Sequence, residues 1–178
     1  MTIIEDVNQK LGKHVEKNTY WNENNIKVIR NKLPFGDYCA IPKIVIDTKR
    51  NVDEIAYDIS ADHIRFKDSL ILAKQCGSRF IVLIENDKHI NCVEDVAGWI
   101  NPRLVEWYKL RELKNQGKPI RKRISKYPPI DGKRLCEAMK TLAERYNVEW
   151  MFCRPSEAGK IVIELLTKEN ENGVPKLD

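Results

Sequence analysis

Two short runs of almost unbroken apolar residues, KIVID at 43–47 and RFIVLIE at 79–85, constrain the fold more than any other feature. A strand that is apolar on both faces has to be covered on both faces, so these runs require a sheet with packing layers above and below it. The segment between them supplies a cover. In NVDEIAYDI, Val52, Ile55, Ala56 and Ile59 recur at the spacing of one helix face, and DHIRFKDSLILAKQCG continues with Ile64, Phe66, Leu70, Leu72 and Ala73 until Gly77 ends it. TIIED, NIKVIRNKL, GDYCAI and VEWMFC read as further strands. DGKRLCEAMKTLAERYN and PSEAGKIVIELLTKE read as helices, the second opened by Pro155. KIVIDTK is expected at the centre of the sheet. The order is antiparallel strands early, then helix, strand, helix, strand, helix, which predicts an α/β fold with a mixed central sheet flanked by helices.

Length and composition narrow the class. A chain of 178 residues suits one well-cored domain, read here as a single unit over 1–170 with a basic insertion at 103–126 and a polar, flexible tail at 171–178. No apolar run approaches the ~18 residues of a membrane span. The opening MTIIEDVNQKLGKH has no long apolar centre, so the expected compartment is cytoplasmic. Five cysteines without a CxxC pair, and three histidines without ligand spacing, argue against a disulfide framework or a zinc knuckle.

Charge is unevenly placed. Residues 101–134 carry eleven lysines and arginines against three acids, a net of +8, while the whole chain is +5. A basic stripe on a near-neutral body suits a phosphate backbone, with Arg121, Lys122 and Arg123 as candidate nucleic-acid contacts; the alternative is a solvated basic loop. Gly117, Pro119, Pro128 and Pro129 break the segment and predict a partly mobile loop. Trp107, Tyr108 and Tyr127 interleave with the bases, either to stack on unpaired nucleobases or to anchor the insertion.

The chemistry concentrates where KIVID ends. Asp47 and Lys49, two apart on a strand, share a face. Asp37 ends the preceding strand material, and Pro42 marks the turn between. Carboxylates converging at strand ends form a hard-oxygen site suited to Mg²⁺ or Mn²⁺. Such a cation lowers the pKa of bound water, and a neighbouring lysine orients that water or balances charge on a phosphodiester under attack. The alternative is that Asp37 is a turn residue after Gly36 and that Asp47 and Lys49 form a surface ion pair.

GDY followed by IDTKRNVDE resembles the nuclease domain of the XPF-type structure-specific endonucleases, within the PD-(D/E)xK superfamily, over roughly residues 2–100. The resemblance implies a restriction-endonuclease-like fold and Mg²⁺- or Mn²⁺-dependent DNA hydrolysis. It implies Asp37, Asp47, Lys49 and Asp53 as catalytic residues, and Asp37 and Asp47 as metal ligands with help from Asp6 or Glu5. It places Arg65 and Lys67 against DNA phosphate, where the alternative is exposed helix charge. Departures are visible: Asp47 stands for the family glutamate, Thr48 for its arginine, and no Arg-Glu pair follows Asp6. Asp53 also has a purely structural alternative, because Asn51 and Glu54 around it resemble a capping box. Glu85 closes RFIVLIE and could face the same cleft.

YPPIDGKRLCEAMKTLAERYNVEWMFC is similar to compact stand-alone nucleases of bacterial viruses and mobile elements. The resulting expectation is a metal-dependent endonuclease of a bacterial or virus-infected cell. It would act, as a single chain or as a homodimer, on branched or flapped DNA in repair, recombination or viral DNA processing. The other expectation is a non-catalytic nucleic-acid-binding or partner-docking protein on a nuclease-like fold. A phosphotransferase would need a glycine-rich phosphate loop, and none is seen.

Overall fold

The computed structural model describes residues 2–9, 15–33, 36–40, 42–86 and 89–171. They form the mixed α/β architecture that the alternation of apolar runs and helical spacings requires. Its strands fall into two three-stranded sheets. In the first, β1 (Thr2–Asp6) lies between β2 (Lys27–Asn31) and β3 (Tyr38–Ala40). β1 and β2 run parallel and β3 antiparallel, so the expected all-antiparallel start is corrected. The reason is α1 (Val15–Glu23), which lies between β1 and β2 and supplies the crossover that parallel neighbours need.

The second sheet is wholly parallel, in the order β4 (Ile44–Lys49), β5 (Arg79–Glu85), β6 (Val148–Cys153). KIVIDTK therefore lies at an edge, not at the centre. β5 takes the centre because all five residues from Phe80 to Ile84 are buried, whereas β4 carries the half-buried Asp47 and the exposed Thr48.

Strand alternation sets the two cores. Phe80, Val82 and Ile84 face α2 (Val52–Ser60), α3 (His63–Cys76) and α5 (Gly132–Tyr146), where Ile55, Leu70, Leu135 and Met139 are fully buried. Leu83 and Cys153 face the other way, onto Ala158, Ile161 and Val162 of α6 (Pro155–Glu171). Val45 packs with the first cluster and Ile46 with the second, so Asp47 and Lys49, in register with Val45, project toward the α2–α3 layer. This parity positions the site.

The basic segment is more ordered than its breakers suggest. Its first half is a helix, α4 (Pro102–Asn115). The Asn101 side chain accepts from the Arg103 amide at 2.9 Å, Pro102 fits the first turn, and Gly117 follows the end at φ +70°. A short 3₁₀ turn, Glu94–Gly98, leads into it and packs on the start of α5. There Gly132 is indispensable, because a Cβ would sit 2.5 Å from the Trp99 carbonyl oxygen and 2.6 Å from that of Val96. Residues 172–178 of the expected tail, and 10–14 of the loop after β1, lie outside the described residues.

Candidate functional site

The site grows from the last three residues of β4. The Lys49 side chain is 6% exposed, and its Nζ lies 3.0 Å from Asp47 Oδ2 and 2.6 Å from Asp58 Oδ2. Asp58 is equally buried. It comes from the second turn of α2, whose start is fixed by Asn51 accepting from the Glu54 amide at 2.9 Å while Glu54 accepts from the Arg50 amide at 2.9 Å. Asn51 is thus the N-cap, the Glu54 carboxylate reaches back one residue further than in a capping box, to Arg50, and Asp53 is not the cap. Phe66 of α3 closes the far side, its ring 5.8 Å from the Lys49 ammonium.

Charges alternate outward from this centre. Asp58 Oδ1 lies 3.5 Å from Arg65 Nη2, and Arg65 Nε is 2.5 Å from Asp62 Oδ2. Arg65 is therefore joined to the centre through Asp58, its guanidinium engaged by two acids. Lys67 is exposed on the same helix but points about 200° away from Arg65. Burial pulls the Lys49 pKa down, yet the carboxylates of Asp58 and Asp47 together outweigh it and hold the ammonium above the ordinary value of 10.5.

The sequence-derived acids divide between the two sheets. Asp47 and Lys49 are together, as their spacing requires. Asp53 lies in the first turn of α2, and its Oδ1 is buried without a hydrogen-bond partner among the described residues. Glu5, Asp6 and Asp37 belong to the first sheet. There both oxygens of Asp6 accept backbone amides, from Asn8 and Leu33 at 2.7 Å each, which lowers its pKa. Glu5 pairs with Arg30 at 3.1 Å and accepts from Tyr38. Asp37 is exposed, and its carbonyl accepts from the Asp6 amide at 2.9 Å beside Gly36 at φ +76°. Glu5 and Asp6 thus spend their carboxylates on protein donors.

Among the described residues, no three acidic, histidine or cysteine side chains come together as a metal-holding group. Mg²⁺ is commonly held by one or two carboxylates, with waters and substrate phosphates completing the shell. At the β4–α2 junction, Asp47, with a third of its side chain exposed, and Asp53, with its unpartnered oxygen, fit that smaller requirement.

Sequence spacing missed Asp58. It lies nine residues beyond Lys49, inside a helix whose polar positions look solvent-facing. The only signal was its place in the α2 pattern, three residues after the apolar Ile55 and thus on the buried face.

In the basic segment, Arg121 and Arg123 are exposed, whereas Lys122 is 2.5 Å from Glu106 and partly neutralised. Trp107 is the anchor: it is buried and its Nε1 donates to the Ser125 carbonyl at 3.0 Å. Tyr108 and Tyr127 are exposed. Glu85 ends β5 half-buried, opposite Cys153.

By sequence, the chain matches no family model and no curated protein. Among solved structures it is similar to XPF from Aeropyrum pernix in complex with DNA, with 15% identity, a TM-score of 0.40, and coverage of 99% of this chain and 67% of that one. It is also similar to a second structure of XPF from Aeropyrum pernix, at 17% identity and a TM-score of 0.40, covering 97% of this chain and 66% of that one. Likeness at this level is loose, and the reading of the site rests on its own residues.

Proposed function

We propose that this chain is a DNA endonuclease with its reactive centre at the end of β4. The observation that carries the reading is the buried Lys49 ammonium held between Asp47 and Asp58 on the face of a parallel strand, with Asp47 reaching solvent. A lysine whose pKa is held above 10.5 is charged at neutral pH, so it donates hydrogen bonds and positive charge and does not act as a base. That suits orientation of an attacking water and balance of the charge that builds on a phosphodiester. Asp47 and Asp53 are the residues that would hold Mg²⁺ or Mn²⁺. The cation's contribution, when bound, is to lower the pKa of water and neutralise phosphate charge. The +8 segment, with Arg121 and Arg123 exposed, supplies the sequence-independent grip on the DNA backbone. Branched or flapped DNA is the substrate class we propose.

A second reading has its own support: with no three acids gathered in one place among the described residues, the same surface would bind DNA without cutting it. Cleavage of labelled linear, flap, fork and four-way DNA by wild type and Lys49→Ala, in Mn²⁺ and in EDTA, separates the two. Metal-dependent cutting that the variant loses supports the nuclease. Binding without cutting on every substrate overturns it in favour of the docking module.

A further inference from the structure

The outer face of α4 carries one aromatic side chain placed for recognition. Tyr108 is 59% exposed, yet its ring is not loose: it meets the buried Trp107 ring edge to face, with centroids 5.1 Å apart. Trp107 is in turn fixed by its bond to the Ser125 carbonyl and by Arg111, whose guanidinium lies 4.8 Å from the ring centre. Tyr108 stands as a ridge between two open grooves. One, of about 550 Å³, is floored by Ile100 and Val105 and rimmed by Lys133 and Arg134 from the first turn of α5. The other, of about 610 Å³, runs past Arg111 to Pro128. Ile100 and Val105 are themselves exposed, which makes this an apolar strip edged by Lys133, Arg134 and Arg111, with Asp131 and Glu112 also lining the grooves.

We infer that this ridge is a binding site for an unpaired stretch of DNA. Bases stack on Tyr108 and lie in the flanking grooves while the phosphates run along Lys133, Arg134 and Arg111. The net charge of +8 over residues 101–134, which surround the ridge, decides the occupant. A rigid aromatic face with a basic border matches a strand whose bases are flat and apolar and whose backbone is anionic. An apolar protein partner would need fewer cations and a fuller apolar floor. The inference rests on the proposal that DNA is the partner, and it assigns the single-stranded part of the substrate to α4, away from the acids of β4.

The test is fluorescence anisotropy with a labelled oligothymidine of about 15 nucleotides and a duplex of equal length, using wild type, Tyr108→Ala and Tyr108→Phe. Tyr108→Ala should weaken single-strand binding about 5- to 150-fold and leave duplex binding within about twofold, while Tyr108→Phe, which keeps the ring, retains affinity. Tyr108 is exposed, and an unchanged thermal melt checks that the alanine variant is folded. If alanine leaves single-strand binding unchanged, or weakens single strand and duplex alike, the stacking site is wrong. An unchanged single-strand affinity with intact cleavage overturns only the stacking site. Tyr108-dependent binding with no cleavage on any substrate upholds the site and overturns the nuclease.

Discussion

Replacing Asp58 tests the centre most directly, because the residue is fixed by geometry alone. In Asp58→Asn the shape is kept and the charge removed. Lys49 loses its nearer carboxylate, at 2.6 Å, and keeps Asp47 at 3.0 Å. Stripping a buried charge of all partners costs about 3–5 kcal/mol, and losing one charged hydrogen bond about 1.5–3 kcal/mol. With Asp47 still in place the second figure applies, so about 2–3 kcal/mol is expected. For a chain of this size that lowers Tm by roughly 4–12 °C. Lys49→Met should cost more, about 3–5 kcal/mol, because Asp58 is then left buried with only Arg65 at 3.5 Å. Combining Lys49→Met with Asp58→Leu removes both charges, and the double variant should recover most of the lost stability. Urea melts of wild type, Lys49→Met, Asp58→Leu and the double variant close the cycle. Losses that simply add, or an Asp58→Asn change below about 0.5 kcal/mol, would refute the account of Lys49 as an ammonium held between two buried acids. The double variant should be folded and inactive, which separates the lysine's part in folding from its part in chemistry.

Other outcomes follow from single features. Gly132→Ala should destabilise by about 1–3 kcal/mol in a denaturant melt, since its Cβ has to displace backbone carbonyls of Val96 and Trp99 and not a yielding side chain. An effect near zero would mean that the 3₁₀ turn can move off α5. Backbone amides hold the Asp6 pKa below its ordinary 3.8, so its contribution is fully present above pH 3.8 and is lost as pH falls through the folded-state value. Stability followed by urea melts at descending pH should therefore fall less steeply below 3.8 in Asp6→Asn than in wild type, and equal slopes would sink the assignment.

What was legible in the sequence follows the strength of each local signal. RFIVLIE coincides with β5, and the apolar spacings of 52–59 and 63–76 became α2 and α3, because long, patterned segments leave one way to bury their apolar faces. The position of KIVIDTK was misjudged because an apolar run marks packing above and below the sheet, which the edge strand β4 shares with the centre although it is only half-buried. α4 was hidden by composition: Arg, Lys, Glu and Leu are good helix formers, but the breakers that follow drew attention to the loop. At the site, the Asp47–Lys49 pairing follows from strand period alone. Asp58 could not be found that way, since its partner lies across a tertiary contact that spacing does not encode.

The arrangement of charge at β4 also bears on why Asp53 is kept with an unpartnered buried oxygen. Such an oxygen costs stability, and a helix first turn gives back only about 0.3–1 kcal/mol through the macrodipole. Lys49 does not relieve it, because that ammonium is already shared by Asp47 and Asp58. Arg65 does not relieve it either, its guanidinium being held by Asp58 and Asp62. Asp47 and Asp58 share the one buried ammonium, and Asp53 follows in the first turn of α2. Under the proposed function, Asp53 is the acid next to β4 left for a positively charged ligand, whereas the carboxylates of Glu5 and Asp6 are satisfied by backbone amides, Arg30 and Tyr38.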